Sequence, residues 1–277
     1  VQIRGVGKWV ANRPQLGQGR QRYPEGPLDP SGPRGNSWGR FGPDDELGTL
    51  NLLTPEAILQ AAKEIQTGMR ISLEWPLSMP TYPSFNRNPF KQELILRSPN
   101  CIYDDVLSFN SQGSTQWDGF RHYANQKMRK FYNGYTTEYI ESSHAIGLHT
   151  VAEHGGITGR GVLLDYADWA ATNFVPVSAL QSAPVTLENM ERVVHDHKHE
   201  FRKGDILFVR SGFTAAYNKL EKLSEHCKIT GRYTFYLSSM PLKVMGGVAS
   251  PPNAFAILLG SARNILVIRI GRKGGKG

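Results

Sequence analysis

Apolar residues recur at helical spacing after Thr54, where Ile58, Leu59, Ala62 and Ile65 share one face. Thr54 is a good N-cap, Pro55 suits the first helical position and Glu56 favours the positive end of the helix dipole. Gly68 marks the stop. Alternation in Arg70–Trp75 (RISLEW) predicts a strand. The Pro-rich stretch 76–90 reads as loop, and Asp105–Asn110 (DVLSFN) as a short strand. Gly161–Asp165 (GVLLD) predicts a buried strand that ends in a carboxylate. Thr186 caps a helix with Leu187, Met190, Val193 and Val194 on one face, and Asp205–Arg210 (DILFVR) predicts a further strand. Strands alternating with helices point to an α/β domain. Beyond Asn218 the pattern fades. Residues 228–253 show no clear period, whereas Ala254–Leu259 and Ile265–Ile270 are apolar enough for strands.

Composition changes this picture mainly at the two ends. The 277 residues are 39% hydrophobic and 20% charged, enough for a real core, and 29 Gly with 17 Pro predict many turns. Residues 1–37 are rich in Gly, Pro, Gln and Arg and read as an irregular or disordered lead-in. The net charge of +8 is uneven. Residues 1–40 carry seven Lys/Arg against two Asp/Glu, residues 41–218 fifteen against twenty, and residues 219–277 ten against two. An acidic body argues against nucleic acid as the main partner. The chain divides on this basis into a lead-in (1–37), an α/β domain (38–218) and a divergent basic C-terminal segment (219–277). No apolar run reaches the roughly 18 residues of a membrane span, and the start lacks an apolar signal core. Two cysteines, Cys101 and Cys227, make neither a disulfide framework nor a zinc cluster, so a cytoplasmic protein is expected. The absence of an initiator Met leads us to expect a fragment or an incomplete gene model.

The densest polar cluster runs from Ser111 to His122 (SQGSTQWDGFRH) and follows a predicted strand. Gln112, Gln116 and Asp118 offer three oxygen donors, and His122 is the natural proton shuttle near neutral pH. On spacing alone, a polar turn with Asp118 as a cap and His122 at the surface explains the same residues.

Four separated blocks, GRFGPDDELGTLNLLTPE (Gly39–Glu56), STQWDGFRH (Ser114–His122), GRGVLLDYADW (Gly159–Trp169) and GDILFVRSGF (Gly204–Phe213), resemble the cyclase family of kynurenine-formamidase-like metal hydrolases, in its fungal-type branch. The resemblance implies a swivelling β/β/α-type fold and a divalent metal. It also implies hydrolysis of a carbon–nitrogen bond in a small amide, as in the arylformamidase step of tryptophan catabolism through kynurenine. Against the family pattern H-x-G-T-H-x-D-x-P-x-H, Asp118 takes a metal-ligand role and His122 the general acid/base role. The first two His ligands fall on Gln112 and Gln116. Amide oxygens are hard, neutral donors, which shifts the expected metal from Zn²⁺ toward Mn²⁺, or toward weak or no binding. The family also supplies a His and a Glu near its C-terminus, and after Asn218 the last of each are His226 and Glu225. The C-terminal part of the fold is therefore expected to be incomplete and poorly packed, as a frameshift, retained intron or alternative splice would leave it.

Other motifs are weaker. Gly35-Asn36-Ser37-Trp38-Gly39 fits G-x-S-x-G but lacks the flanking strand and helix of a nucleophile elbow. GGITGRG (Gly155–Gly161) precedes a strand and reads as a turn. His195, His197 and His199, and the five-residue recurrence of His144, His149 and His154, read as packing or surface residues. Three functions compete: an active amidase with a small-molecule amide substrate, a catalytically inactive small-molecule-binding homologue, and a nucleic-acid binder driven by the basic tail. The tail lacks interleaved aromatics for base stacking, which disfavours the last. A membrane partner is not expected, and a homo-oligomer is left open.

Overall fold

A computed structural model describes residues 29–177, 184–218 and 230–258. Helix α1 spans Pro55–Ala62, with the Thr54 side chain accepting from Ala57 N–H as the cap pattern predicts. Strands β1 (Arg70–Ser72), β2 (Lys91–Leu96), β3 (Tyr103–Ser108) and β4 (Trp117–Asp118) follow. Short helices α2 (Thr137–Ser142) and α3 (His149–Glu153) lead into β5 (Ile157–Leu164), α4 (Tyr166–Thr172) and α5 (Leu187–Asp196). The chain continues through β6 (Ile206–Val209), α6 (Phe213–Asn218), β7 (Thr234–Ser239), β8 (Ala249–Ser250) and β9 (Ala254–Leu258).

The main sheet runs β1-β9-β7-β5-β6 among the described residues. β5 and β6 are parallel, and the other pairs are antiparallel. One core joins Leu163, Phe235, Leu237, Ala256 and Leu258 to Leu148, Val151 and Ile157. A second packs Leu164 against Tyr166 and Trp169 of α4 and Met190, Val193 and Val194 of α5. Of the apolar face predicted for α5, Met190, Val193 and Val194 are buried, whereas Leu187 in its first turn is exposed. Gly161 lies where the Phe235 ring crosses the strand, and a Cβ there would collide with that ring. Gly155 and Gly156 form the predicted turn at positive φ, but Gly159 and Gly161 are inside β5.

Buried charge fixes α1 to the sheet. Arg160 on β5 donates to both carboxylate oxygens of Asp205, at 2.9 and 2.6 Å, and Glu64 just beyond α1 lies 3.8 Å from Arg160. Thr234 on β7 donates to Glu64 at 2.9 Å.

The expectation of a poorly packed C-terminal segment fails for its described part. β7 is the central strand, with Phe235 and Leu237 fully buried, and β9 pairs with both β7 and β1. β7 and β9, from beyond residue 218, join the same sheet as β5 and β6. The physical reason is the alternating burial of Thr234–Ser239, a strand signal that the flip in net charge masked. Ile265–Ile270, His226, Glu225, Cys227 and the basic stub lie outside the described residues. Among the described residues, no helix is long and apolar enough to cross a membrane.

Candidate active site

The Ser111–His122 segment is held at both ends. The turn at its start closes through Gly113 N–H to the Asn110 carbonyl at 2.8 Å. A Cβ on Gly113 would meet that oxygen at 2.9 Å, so the turn needs glycine. Ser114 donates to the Pro76 carbonyl, and Thr115 accepts from Trp75 N–H at 2.9 Å. Trp117 donates its indole N–H to Ser239 at 2.7 Å, and Ser239 in turn donates to the Pro252 carbonyl. β4 then pairs with β8, Trp117 opposite Ser250 and Asp118 opposite Ala249. Gly119 donates to the Val248 carbonyl at 2.9 Å, too close an approach for a side chain, since a Cβ would lie 2.9 Å from that oxygen.

Three of the four sequence candidates meet in one hydrogen-bonded chain. Gln116 Nε2 donates to Gln112 Oε1 at 2.8 Å, and Gln112 Nε2 donates to Asp118 Oδ1 at 2.5 Å. Gln116 Oε1 is buried and has no hydrogen-bond partner. His122 follows a turn closed by its own N–H to the Gly119 carbonyl at 3.0 Å, and its half-buried ring takes no part in the chain. Its ring neighbour is Tyr123, 6.3 Å away between centroids.

A cavity of about 690 Å³ opens beside β4. Asp118 lines it; Gln112, Gln116 and His122 do not. Its wall is mostly apolar, with Leu47, Leu50, Leu53, Leu148 and Ile206, and besides Asp118 it carries the charged groups Arg40, Glu46, Arg202, Lys203 and Asp205. This volume lies in the range of small-molecule sites.

Sequence reasoning assigned no chemistry to Arg40, Glu46 or Lys203. The signal available was their place in the Gly39–Glu56 and Gly204–Phe213 blocks or next to them. The first of these segments is pinned by Asp45, which accepts from Tyr132 Oη at 2.8 Å, Gly48 N–H at 2.7 Å and Asn51 Nδ2 at 2.6 Å. Burial first, then the hydrogen bond to Asp45, pushes the Tyr132 hydroxyl pKa well above its usual value. Phe120 stacks on Tyr132 at 4.2 Å, which ties the residues after Asp118 to the same segment. Arg121, inside the motif, donates to the carbonyls of Ile140, Ser143 and Ala145 at the end of α2 and beyond.

The weaker motifs keep their structural roles. Asn36 of the G-x-S-x-G stretch accepts from Trp38 N–H within a loop. His149 is buried and accepts from Gly246 N–H, His154 contacts the Thr150 carbonyl, and His195 is exposed beside Asp196. His197 and His199 pack around Tyr233. Among the described residues, no group of three or more His, Cys, Asp or Glu is placed to hold a metal.

The Cyclase family model, described as "Putative cyclase", matches residues 69–247. The chain belongs to the Cyclase family. Its match spans β1 to the loop before β8, and so includes both the Asp118 segment and β7. A crystal structure described as a novel cyclase superposes with a TM-score of 0.71 at 24% identity, covering 80% of this chain and 99% of that one. That likeness establishes the α/β fold. Isatin hydrolase A from Ralstonia solanacearum aligns at a TM-score of 0.45 and 14% identity, over 74% of this chain and 98% of its own. Isatin hydrolase A from Labrenzia aggregata aligns at 0.45 and 13%, over 76% and 99%. No curated protein matches the chain.

Proposed function

We propose that this Cyclase-family chain is a hydrolase of small amides, of the arylformamidase-like kind, with its reacting centre at Asp118. The observation that carries this reading is the chain Gln116–Gln112–Asp118, which presents a carboxylate at the wall of a mostly apolar cavity. The donor set suits a hard divalent cation such as Mn²⁺ better than Zn²⁺, because it holds one carboxylate, two amides and no imidazole or thiolate. Gln116 Oε1, buried and without a hydrogen-bond partner, is the oxygen of this set left free to serve as a ligand. Asp118, with the amide oxygens of Gln112 and Gln116, would hold the cation. When bound, it would supply a Lewis acid that makes water a nucleophile near neutral pH.

The chain's own residues do the rest. The apolar wall of Leu47, Leu50, Leu53 and Leu148 seats the carbon skeleton and excludes water. We assign the proton transfer from the attacking water to the departing nitrogen to His122, whose ring has to turn toward the cavity that it does not line in this structure. Gly119, between the two groups, lets the backbone approach the Val248 carbonyl and so holds β4 against β8.

A second reading, a small-molecule-binding homologue without turnover, is favoured by one feature: Gln112 N–H already occupies Asp118 Oδ1. Titration of the protein with Mn²⁺, followed by turnover assays on aryl formamides, separates the two. Metal-dependent release of formate supports the hydrolase. Saturable binding of the same compounds without release supports the binder.

A further inference from the structure

Helix α5 ends in a backbone turn that fixes two histidines. His197 caps the helix, with its N–H on the Val193 carbonyl at 3.0 Å. Lys198 takes the left-handed conformation at φ 53°, and its N–H reaches the His195 carbonyl at 3.1 Å. His199 N–H then returns to the Val194 carbonyl at 2.9 Å. These are the paired bonds of a Schellman motif, so the two residues that flank Lys198 keep little backbone freedom. Tyr233, just before β7, holds the rings: it stacks on His197 at 4.9 Å and meets His199 edge-on at 5.7 Å. His195, by contrast, is exposed and bonded to Asp196, outside the pair.

The pair has ligand capacity that the protein does not use. His197 Nδ1 and His199 Nε2 are both buried, and neither has a hydrogen-bond partner. Buried polar atoms are nearly always bonded, so two orphans on neighbouring rings call for an explanation. A neutral imidazole can carry its lone pair on either nitrogen, which makes each orphan an available ligand atom. The rings stand 5.5 Å apart between centroids, at 82° to each other. With metal–nitrogen bonds of about 2 Å, two imidazoles on one tetrahedral ion have centroids about 5 Å apart. Arg160, whose charge reaches His199, is matched by Asp205 and Glu64, so an ion there would not face a bare cation.

We propose that His197 Nδ1 and His199 Nε2 form a site for one borderline transition-metal ion, Zn²⁺ or Cu²⁺, with water completing the shell. Imidazole suits these ions, whereas Mg²⁺ and Ca²⁺ prefer oxygen. Two protein ligands make it a site of moderate affinity, separate from the oxygen donors of Asp118, Gln112 and Gln116. Its place in the fold gives it a consequence. The chain runs from His199 through Glu200 into Phe201–Leu207, which lines the cavity, and the Glu200 carbonyl accepts from Arg160 at 2.7 Å. An ion that ties the two rings together holds the entry to that segment. Neither ring takes part in the proposed hydrolysis.

Titration of the full chain with Cu²⁺, followed by pulsed electron paramagnetic resonance, tests the site without any substitution. The spectrum of the first ion bound is expected to show two coordinated imidazoles. In calorimetry with Zn²⁺, His197→Gln and His199→Gln should each lower the affinity of that site at least about tenfold, with circular dichroism showing the variants folded. His195→Gln, and Asp118→Asn at the proposed reacting centre, should leave it unchanged. Zn²⁺ should also raise the unfolding midpoint of the wild type and not that of His199→Gln. A Cu²⁺ spectrum without two imidazoles, Zn²⁺ affinity unchanged in a folded His197→Gln or His199→Gln, or binding lost in His195→Gln or Asp118→Asn would overturn the proposal.

Discussion

Gln112 Nε2 donates to Asp118 Oδ1 at 2.5 Å, so the neutral residue that stands at a ligand position of the resembled pattern is bonded to the one anionic donor. In the proposed function Asp118 would supply nearly all the charge attraction for a cation. Asp118→Asn is expected to weaken Mn²⁺ binding at least tenfold in calorimetry, with little change in the unfolding midpoint. Equal affinity in the variant would place the cation elsewhere.

The two amides make a zinc prediction possible. Gln112→His/Gln116→His replaces hard neutral oxygens with imidazoles beside a carboxylate, the donor types zinc prefers. The double variant should bind Zn²⁺ at least about tenfold more tightly than the parent. No gain would mean that these side chains do not face a common point.

Gly119→Ala places a Cβ 2.9 Å from the Val248 carbonyl and 3.1 Å from Leu148 Cγ. The carbonyl belongs to the β4–β8 pairing and cannot move freely. Overpacking of this kind costs about 1–3 kcal/mol, to be read as a lower urea midpoint. A neutral effect would show that β4 and β8 are loosely joined.

Strands β5 and β6 were legible as short continuous apolar runs, and helix α5 by the helical spacing of Met190, Val193 and Val194. Asp165, read as the end of a strand, is also the cap of α4, accepting from Asp168 N–H at 3.1 Å. β4 and β8 were not legible, since a two-residue strand has no period and exists only through its pairing. The cavity was hidden for a related reason: segments around Leu50, Asp118, Leu148 and Lys203 build it, and no local pattern announces that they meet. Gln112, Gln116 and Asp118 could be grouped from sequence because they lie within seven residues. Where His122 stands relative to the cavity depends on the turn after Gly119, which spacing does not specify.

Asp205 is buried and holds Arg160 with two hydrogen bonds. Asp205→Asn leaves a buried guanidinium without its main counter-charge, and breaking a buried pair in this way costs about 3–5 kcal/mol. Thermal unfolding of the variant checks this. A loss below about 1 kcal/mol would assign the pair a surface-like role.

His199 titrates low. Burial, then His197 and Arg160, hold its pKa at about 4, below the ordinary 6.5. The unfolded chain therefore takes up a proton that the folded chain refuses. This contribution to stability is fully present above about pH 6.5 and is lost as pH falls toward 4. Between pH 7 and pH 5 the unfolding free energy should drop by about 1–2 kcal/mol from this group, and His199→Gln should remove that part of the slope. An unchanged slope in the variant would shift the cause to other groups.

The measurement closest to the central claim is kcat/KM for aryl-formamide hydrolysis with Mn²⁺, before and after chelation, in wild type, Asp118→Asn and His122→Ala. The account predicts turnover that chelation abolishes. Asp118→Asn should lose both metal and activity, and His122→Ala should keep the metal but lose about 10²–10⁴ in rate. Hydrolysis that persists undiminished in Asp118→Asn, or binding of these amides with no hydrolysis under any metal, would contradict it.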